Sequence, residues 1–96
     1  MNTYILTFRI ADIGNRQDVY EIIHDIIELY SSNYSMDDTT STIFYTSEKN
    51  DLIIEVIYSV LRKDDEIKCI NLNKFQLIKI SNGKKIISNE IDSLFV

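Results

Sequence analysis

The apolar residues of this chain change period along its length, and each change restricts what the segment can become. Tyr4, Leu6, Phe8 and Ile10 alternate with Ile5, Thr7 and Arg9, the period-two pattern of a strand with one committed face. A polar loop from Asp12 to Arg16, holding Gly14, interrupts it. Val19, Ile22, Ile23, Ile26, Ile27 and Tyr30 then recur at helical spacing, which predicts an amphipathic helix over residues 17–32. An apolar helical stripe and a one-sided strand each need a partner surface, so the two must cover each other.

The pattern then repeats with variations. Residues 33–40 are weakly patterned and fit a short edge strand. Thr40 to Thr46 reads as a strand, with Thr42, Phe44 and Thr46 opposing Ser41, Ile43 and Tyr45. Ser47 reads as an N-cap with Glu48 in the first turn, opening a second helix over 48–63 that buries Leu52, Ile53, Val56, Ile57, Val60 and Leu61. Lys63-Asp64-Asp65-Glu66 reads as a solvated turn before a strand from Ile67 to Leu72. Phe75–Ile80 and Lys84–Ser88 flank Ser81-Asn82-Gly83, and Asn-Gly is a strong hairpin signal. Residues 89–96 fit a short helical turn or an extended tail. This order predicts an α+β protein: a ferredoxin-like βαββαβ two-layer sandwich with an appended C-terminal β-hairpin. With 96 residues there is room for one domain, its core over 1–72 and the hairpin and tail over 73–96.

Composition excludes several classes of protein. A single cysteine rules out an internal disulfide framework and a thiolate-rich zinc site. The N-terminus enters a strand pattern rather than a signal peptide. The longest apolar runs, such as Leu52-Ile53-Ile54, are far too short for a membrane span. The expectation is a cytoplasmic protein without a membrane partner, in which Cys69 stays reduced. A domain of this size is marginal alone and gains from oligomerisation.

The net charge of −5 hides a split. Residues 1–66 hold five basic and thirteen acidic side chains, a formal charge of −8. Residues 67–88 hold Lys68, Lys74, Lys79, Lys84 and Lys85 and no acid, and Glu90 and Asp92 follow. Asp18, Glu21, Asp25 and Glu28 form an acidic stripe on the first helix, and Glu48, Asp51 and Glu55 a second on the other. Three readings stand: lysines that protect edge strands, a homodimer whose basic hairpin adds to the partner's sheet, or a nucleic-acid contact. The last is disfavoured, because five lysines without an arginine in acidic surroundings bind phosphate poorly.

Candidate chemical residues are few. His24, the lone histidine, has no second ligand within helical reach, so neither a metal nor any cofactor is expected. Cys69 falls in a strand with no basic partner and reads as a buried, apolar-like thiol. Asp37-Asp38 and the acids at 64–66 read as solvated loop carboxylates, and Gly14 lacks a phosphate-loop context. Arg9, on the less apolar face of the first strand, is ordinary if solvated. If two sheets stack over it, it needs a carboxylate or phosphate partner.

The run Tyr4-Ile-Leu-Thr-Phe-Arg-Ile-Ala-Asp-Ile-Gly-Asn-Arg-Gln-Asp-Val-Tyr-Glu-Ile-Ile resembles the opening of the small CRISPR-associated adaptation proteins (the second Cas protein) and their SinR-like cousins. Thr40-Ser-Thr-Ile-Phe-Tyr-Thr-Ser, Leu52-Ile-Ile-Glu-Val-Ile and Asp64-Asp-Glu-Ile-Lys-Cys-Ile-Asn-Leu are similar to later elements of the SinR-like branch, so the resemblance spans about residues 3–72. It implies a ferredoxin-like fold and a homodimer stacked through its sheets, with C-terminal residues that often cross to the partner. It also implies either a metal-dependent nuclease, using the aspartate that ends the first strand, or a nucleic-acid-binding scaffold. Here Phe8 matches the aromatic before that aspartate, and Arg16 matches the loop arginine. The aspartate position itself is Arg9, and Asp12, three residues on, is the candidate substitute. Two arginines at a dimer axis would repel a divalent cation and could bind an anion instead.

The expected function is therefore a non-catalytic homodimeric module that binds a basic protein partner through its acidic helical faces. A nuclease or nucleic-acid scaffold is the alternative. RNA and DNA incubated with the protein and Mg²⁺ should remain intact; cleavage that disappears in Asp12→Ala would overturn this.

Overall fold

The computed structural model of the chain describes residues 1–11, 17–36 and 41–89. The elements are β1 (Asn2–Arg9), α1 (Gln17–Tyr30), β2 (Asn33–Met36), β3 (Thr42–Ser47), α2 (Asn50–Val60), β4 (Glu66–Asn71), β5 (Gln76–Ser81) and β6 (Lys84–Ser88). They form an α+β protein with one six-stranded sheet in the order β2-β3-β1-β4-β5-β6, every neighbouring pair antiparallel.

β1 has a strand on each side, and its alternation sorts the sheet into two faces. Tyr4, Leu6 and Phe8 are buried, and their register partners Tyr45, Ile43, Cys69 and Ile67 lie on the same face. Val19, Ile23, Ile26 and Ile27 of α1 and Ile53, Ile54 and Ile57 of α2 join them in one core. Each fully buried isoleucine contributes roughly 1.5–3 kcal/mol of apolar transfer.

The second helix differs from the sequence expectation at both ends and in its rotation. It begins at Asn50, with Lys49 as an N-cap that makes no side-chain cap bond, and ends at Val60. Ser47 is the last residue of β3: its Oγ accepts the Lys49 N–H at 2.9 Å and donates to the Tyr30 carbonyl at 2.6 Å, tying the end of α1 to the start of α2. Glu48 therefore precedes the helix. Leu52 is 44% exposed, and the buried stripe is Asn50, Ile53, Ile54 and Ile57. The physical reason is Asn50, held inward by the Tyr45 hydroxyl and the Cys69 thiol.

The expected solvated turn before β4 is also corrected. Asp65 is only 1% exposed. Its Oδ1 accepts the Ala11 N–H and its Oδ2 the Arg62 N–H, each at 2.8 Å, so one carboxylate binds the end of β1 to the turn that leaves α2. The β5–β6 connection is the two-residue turn Asn82-Gly83, with φ of 54° and 74°. Such positive values suit a tight hairpin and are taken up readily by Asn and Gly. β5 pairs with β4, so the hairpin extends the sheet of its own chain. The expectation for the tail from Glu90 onward lies outside the described residues.

Asp65→Ala strips two backbone donors of their acceptor and should lower unfolding stability by about 2–4 kcal/mol in urea titration. Asp65→Asn, which keeps one acceptor oxygen, should lose less. A loss in Asp65→Ala below about 0.5 kcal/mol, the range of an ordinary surface substitution, would show that the clamp is dispensable.

Candidate interaction surface

The face of the sheet turned away from the helices is built by register. Phe44, Ile5, Ile70 and Leu77 stand side by side across β3, β1, β4 and β5. Phe44 is 49% exposed, and Leu77 is the most buried of the row. The next row is Thr42, Thr7, Lys68, Lys79 and Ile86. An apolar row thus runs beside a basic one.

Arg9 ends β1 on this face and is exposed, directly opposite Glu66. Thr7, Phe8, Arg9, Glu66 and Lys68 line an open cavity of about 240 Å³. Lys68 Nζ lies 3.9 Å from Glu66 Oε1, a half-buried pair whose long separation leaves it contributing little stability. Glu66 stands between two cations, so Arg9 has a carboxylate neighbour in its own chain.

The other charged surface is the outside of the helices. Asp18, Glu21, Asp25 and Glu28 are all exposed along α1. Glu48, Asp51 and Glu55 are exposed at α2, but they differ in situation. Lys85 Nζ donates to Glu55 Oε1 at 2.7 Å and lies 5.8 Å from the centre of the Tyr58 ring. That bond to Glu55 holds the Lys85 ammonium above its ordinary pKa. Glu48 and Asp51 instead border a polar cavity of about 220 Å³ with Asn2, Asn50, Asn71 and Lys74 among its walls.

The structure disperses the basic group that the sequence placed together. Lys68 and Lys79 share the open face through register, and Lys84, paired with Ser81, lies at the hairpin turn. Lys74 is exposed in the β4–β5 turn, whereas Lys85 is turned back onto α2. Asp12, Gly14, Arg16, Asp37 and Asp38 lie outside the described residues.

Cys69 is buried, as its strand position predicts, but it belongs to a polar ring that sequence reasoning missed. The Tyr45 hydroxyl donates to Asn50 Oδ1 at 2.5 Å, the Asn50 amide donates to Cys69 Sγ at 3.7 Å, and Tyr45 Oη and Cys69 Sγ are 3.3 Å apart. With the tyrosine proton committed to Asn50, the thiol proton is the one available for that last contact. Burial pushes both the Cys69 thiol and the Tyr45 hydroxyl above their ordinary pKa values. Tyr4 stacks on Tyr45 at 5.2 Å between ring centroids and closes one side. His24 is half-buried and meets Phe8 edge-on at 6.2 Å. Only the cross-strand pairing of Tyr45 with Tyr4, and of Leu6 with Cys69, brings the ring together, and spacing along the chain carries no signal of it.

No family model, curated protein or solved structure matches the chain. Among the described residues, no group of three His, Cys, Asp or Glu side chains is placed to hold a metal ion. No helix among them is long and apolar enough to cross a membrane.

The raised Cys69 pKa leaves less thiolate at pH 8 than an ordinary cysteine has, and the group is buried as well. An aromatic disulfide reagent should therefore label Cys69 quickly in denaturant and at least ~100-fold more slowly in the native protein. Equal rates in the two states would contradict this placement.

Proposed function

We propose that the chain is a non-catalytic, homodimeric interaction module of the cytoplasm, with the ferredoxin-like arrangement implied by its resemblance to the CRISPR adaptation and SinR-like proteins. The order β2-β3-β1-β4 with two helices against one face supports that arrangement. The observation that carries the function is the division of charge between the layers. The outward side of α1 presents Asp18, Glu21, Asp25 and Glu28 exposed, while Arg9, Lys68 and Lys79 lie on the opposite face of the sheet.

Carboxylates at this spacing form one negative strip suited to a basic protein partner, whose approach they would steer. Arg9 at the end of β1, with Lys68 close by, disfavours a divalent cation there and supports binding over cleavage. Nucleic-acid scaffolding is the second reading, favoured by Lys68 and Lys79 lying one row from exposed Phe44.

Light scattering at micromolar concentration should give twice the chain mass; a monomer would remove the homodimeric part. A fluorescent lysine-rich peptide at low salt should bind, and Asp18→Asn/Glu21→Gln/Asp25→Asn/Glu28→Gln should weaken it by more than about tenfold. Unchanged peptide binding in that variant, or a gel shift of single-stranded DNA lost in Lys68→Glu/Lys79→Glu, would favour the second reading.

A further inference from the structure

β6 ends the sheet, and among the described residues no strand lies beyond it. Lys84, Lys85, Ile86 and Ile87 are all exposed. Ile86 is 58% exposed on the open face, in register with Lys79, and Ile87 is 56% exposed on the helix side, in register with Ile78. An end strand with a bare isoleucine on each face is a template for another strand.

Lysines on an end strand normally discourage such pairing. Here Lys85 is turned back onto its own chain, bonded to Glu55 and lying near the Tyr58 ring, so its charge is offset at home. Tyr58 Oη also donates to the Gly83 carbonyl at 2.9 Å, which fastens the hairpin turn to α2 and presents β6 as a fixed edge. Lys84 remains, at the turn end of the strand.

We infer that two copies of the chain join edge to edge through β6, antiparallel, about a two-fold axis at Ile86. In that register Ile86 faces its own copy, Lys85 faces Ile87, and Lys84 faces Ser88. All five residues of β6 are paired, and no lysine opposes a lysine. Moving the axis to Lys85 sets like charges opposite each other, and moving it to Ile87 leaves both Lys84 and Lys85 without a facing residue within β6. Stacking the open faces would instead crowd Arg9, Lys68 and Lys79 of one copy against those of the other, with Glu66 the only described carboxylate on the strands beside them. The edge contact is isologous and closes at two copies. It rests on the homodimeric reading and specifies where the copies meet.

Ile86→Cys tests the register. Facing residues of antiparallel strands have Cα atoms about 4.5–5.5 Å apart, within the range a disulfide spans. Mild oxidation of Ile86→Cys should give a covalent dimer on a non-reducing gel. The parent protein, whose only thiol is buried Cys69, and Phe44→Cys on the open face should not cross-link. Ile86→Lys should be monomeric by light scattering with an unchanged circular dichroism spectrum. Cross-linking at Phe44 instead of Ile86, or a dimer that survives Ile86→Lys, would overturn the edge contact and leave the homodimer standing. A parent protein that is monomeric, with no cross-link at either site, would overturn both, as it would if β6 served a segment of another protein.

Discussion

The pleat of β1 decides the chemistry of both faces of this protein. Because β1 is paired on both sides, each of its residues carries a cross-strand row with it. Leu6 brings Ile43 and Cys69 into the core, while Ile5 brings Phe44 and Ile70 onto the open face. A slip of one residue would exchange these sets and expose the core. The register of one eight-residue strand therefore sets the core, the apolar row and the basic row together.

Two buried polar groups hold the helical layer to that frame. Asp65 joins the end of β1 to the turn that follows α2, and Asn50 sets the rotation of α2 by facing Tyr45 and Cys69. Buried polar atoms left without partners are expensive, so a satisfied ring admits few alternative helix orientations. The same rotation turns Glu55 and Tyr58 toward the hairpin, where they hold Lys85 and Gly83. A core constraint thus reaches the edge strand and determines which of its charges remain free.

The charge pattern gains its meaning from these contacts. Along the chain, an acidic segment precedes a lysine-bearing one. In space, carboxylates line the outside of α1, and Arg9, Lys68 and Lys79 lie on the opposite side of the sheet. Lys85 and Glu55, assigned by sequence to two opposing surfaces, neutralise each other within one chain.

The alternation of Tyr4, Leu6 and Phe8, the helical spacing from Val19 to Tyr30 and the Asn82-Gly83 turn were legible because each reports a local backbone period or a permitted φ. The acidity of α1 was legible for the same reason: helical periodicity alone places Asp18, Glu21, Asp25 and Glu28 on one side. The burial of Asp65, the inward turn of Asn50, the use of Ser47 between the two helices and the capture of Lys85 were not legible. Each depends on a partner between 17 and 54 residues away along the chain: Ala11 for Asp65, Cys69 for Asn50, Tyr30 for Ser47 and Glu55 for Lys85. Local periodicity determined which segments became strands and helices, because backbone geometry is a short-range property. Long-range hydrogen bonding decided which polar side chains were buried and which charges stayed free, because those energies exist only once distant residues meet.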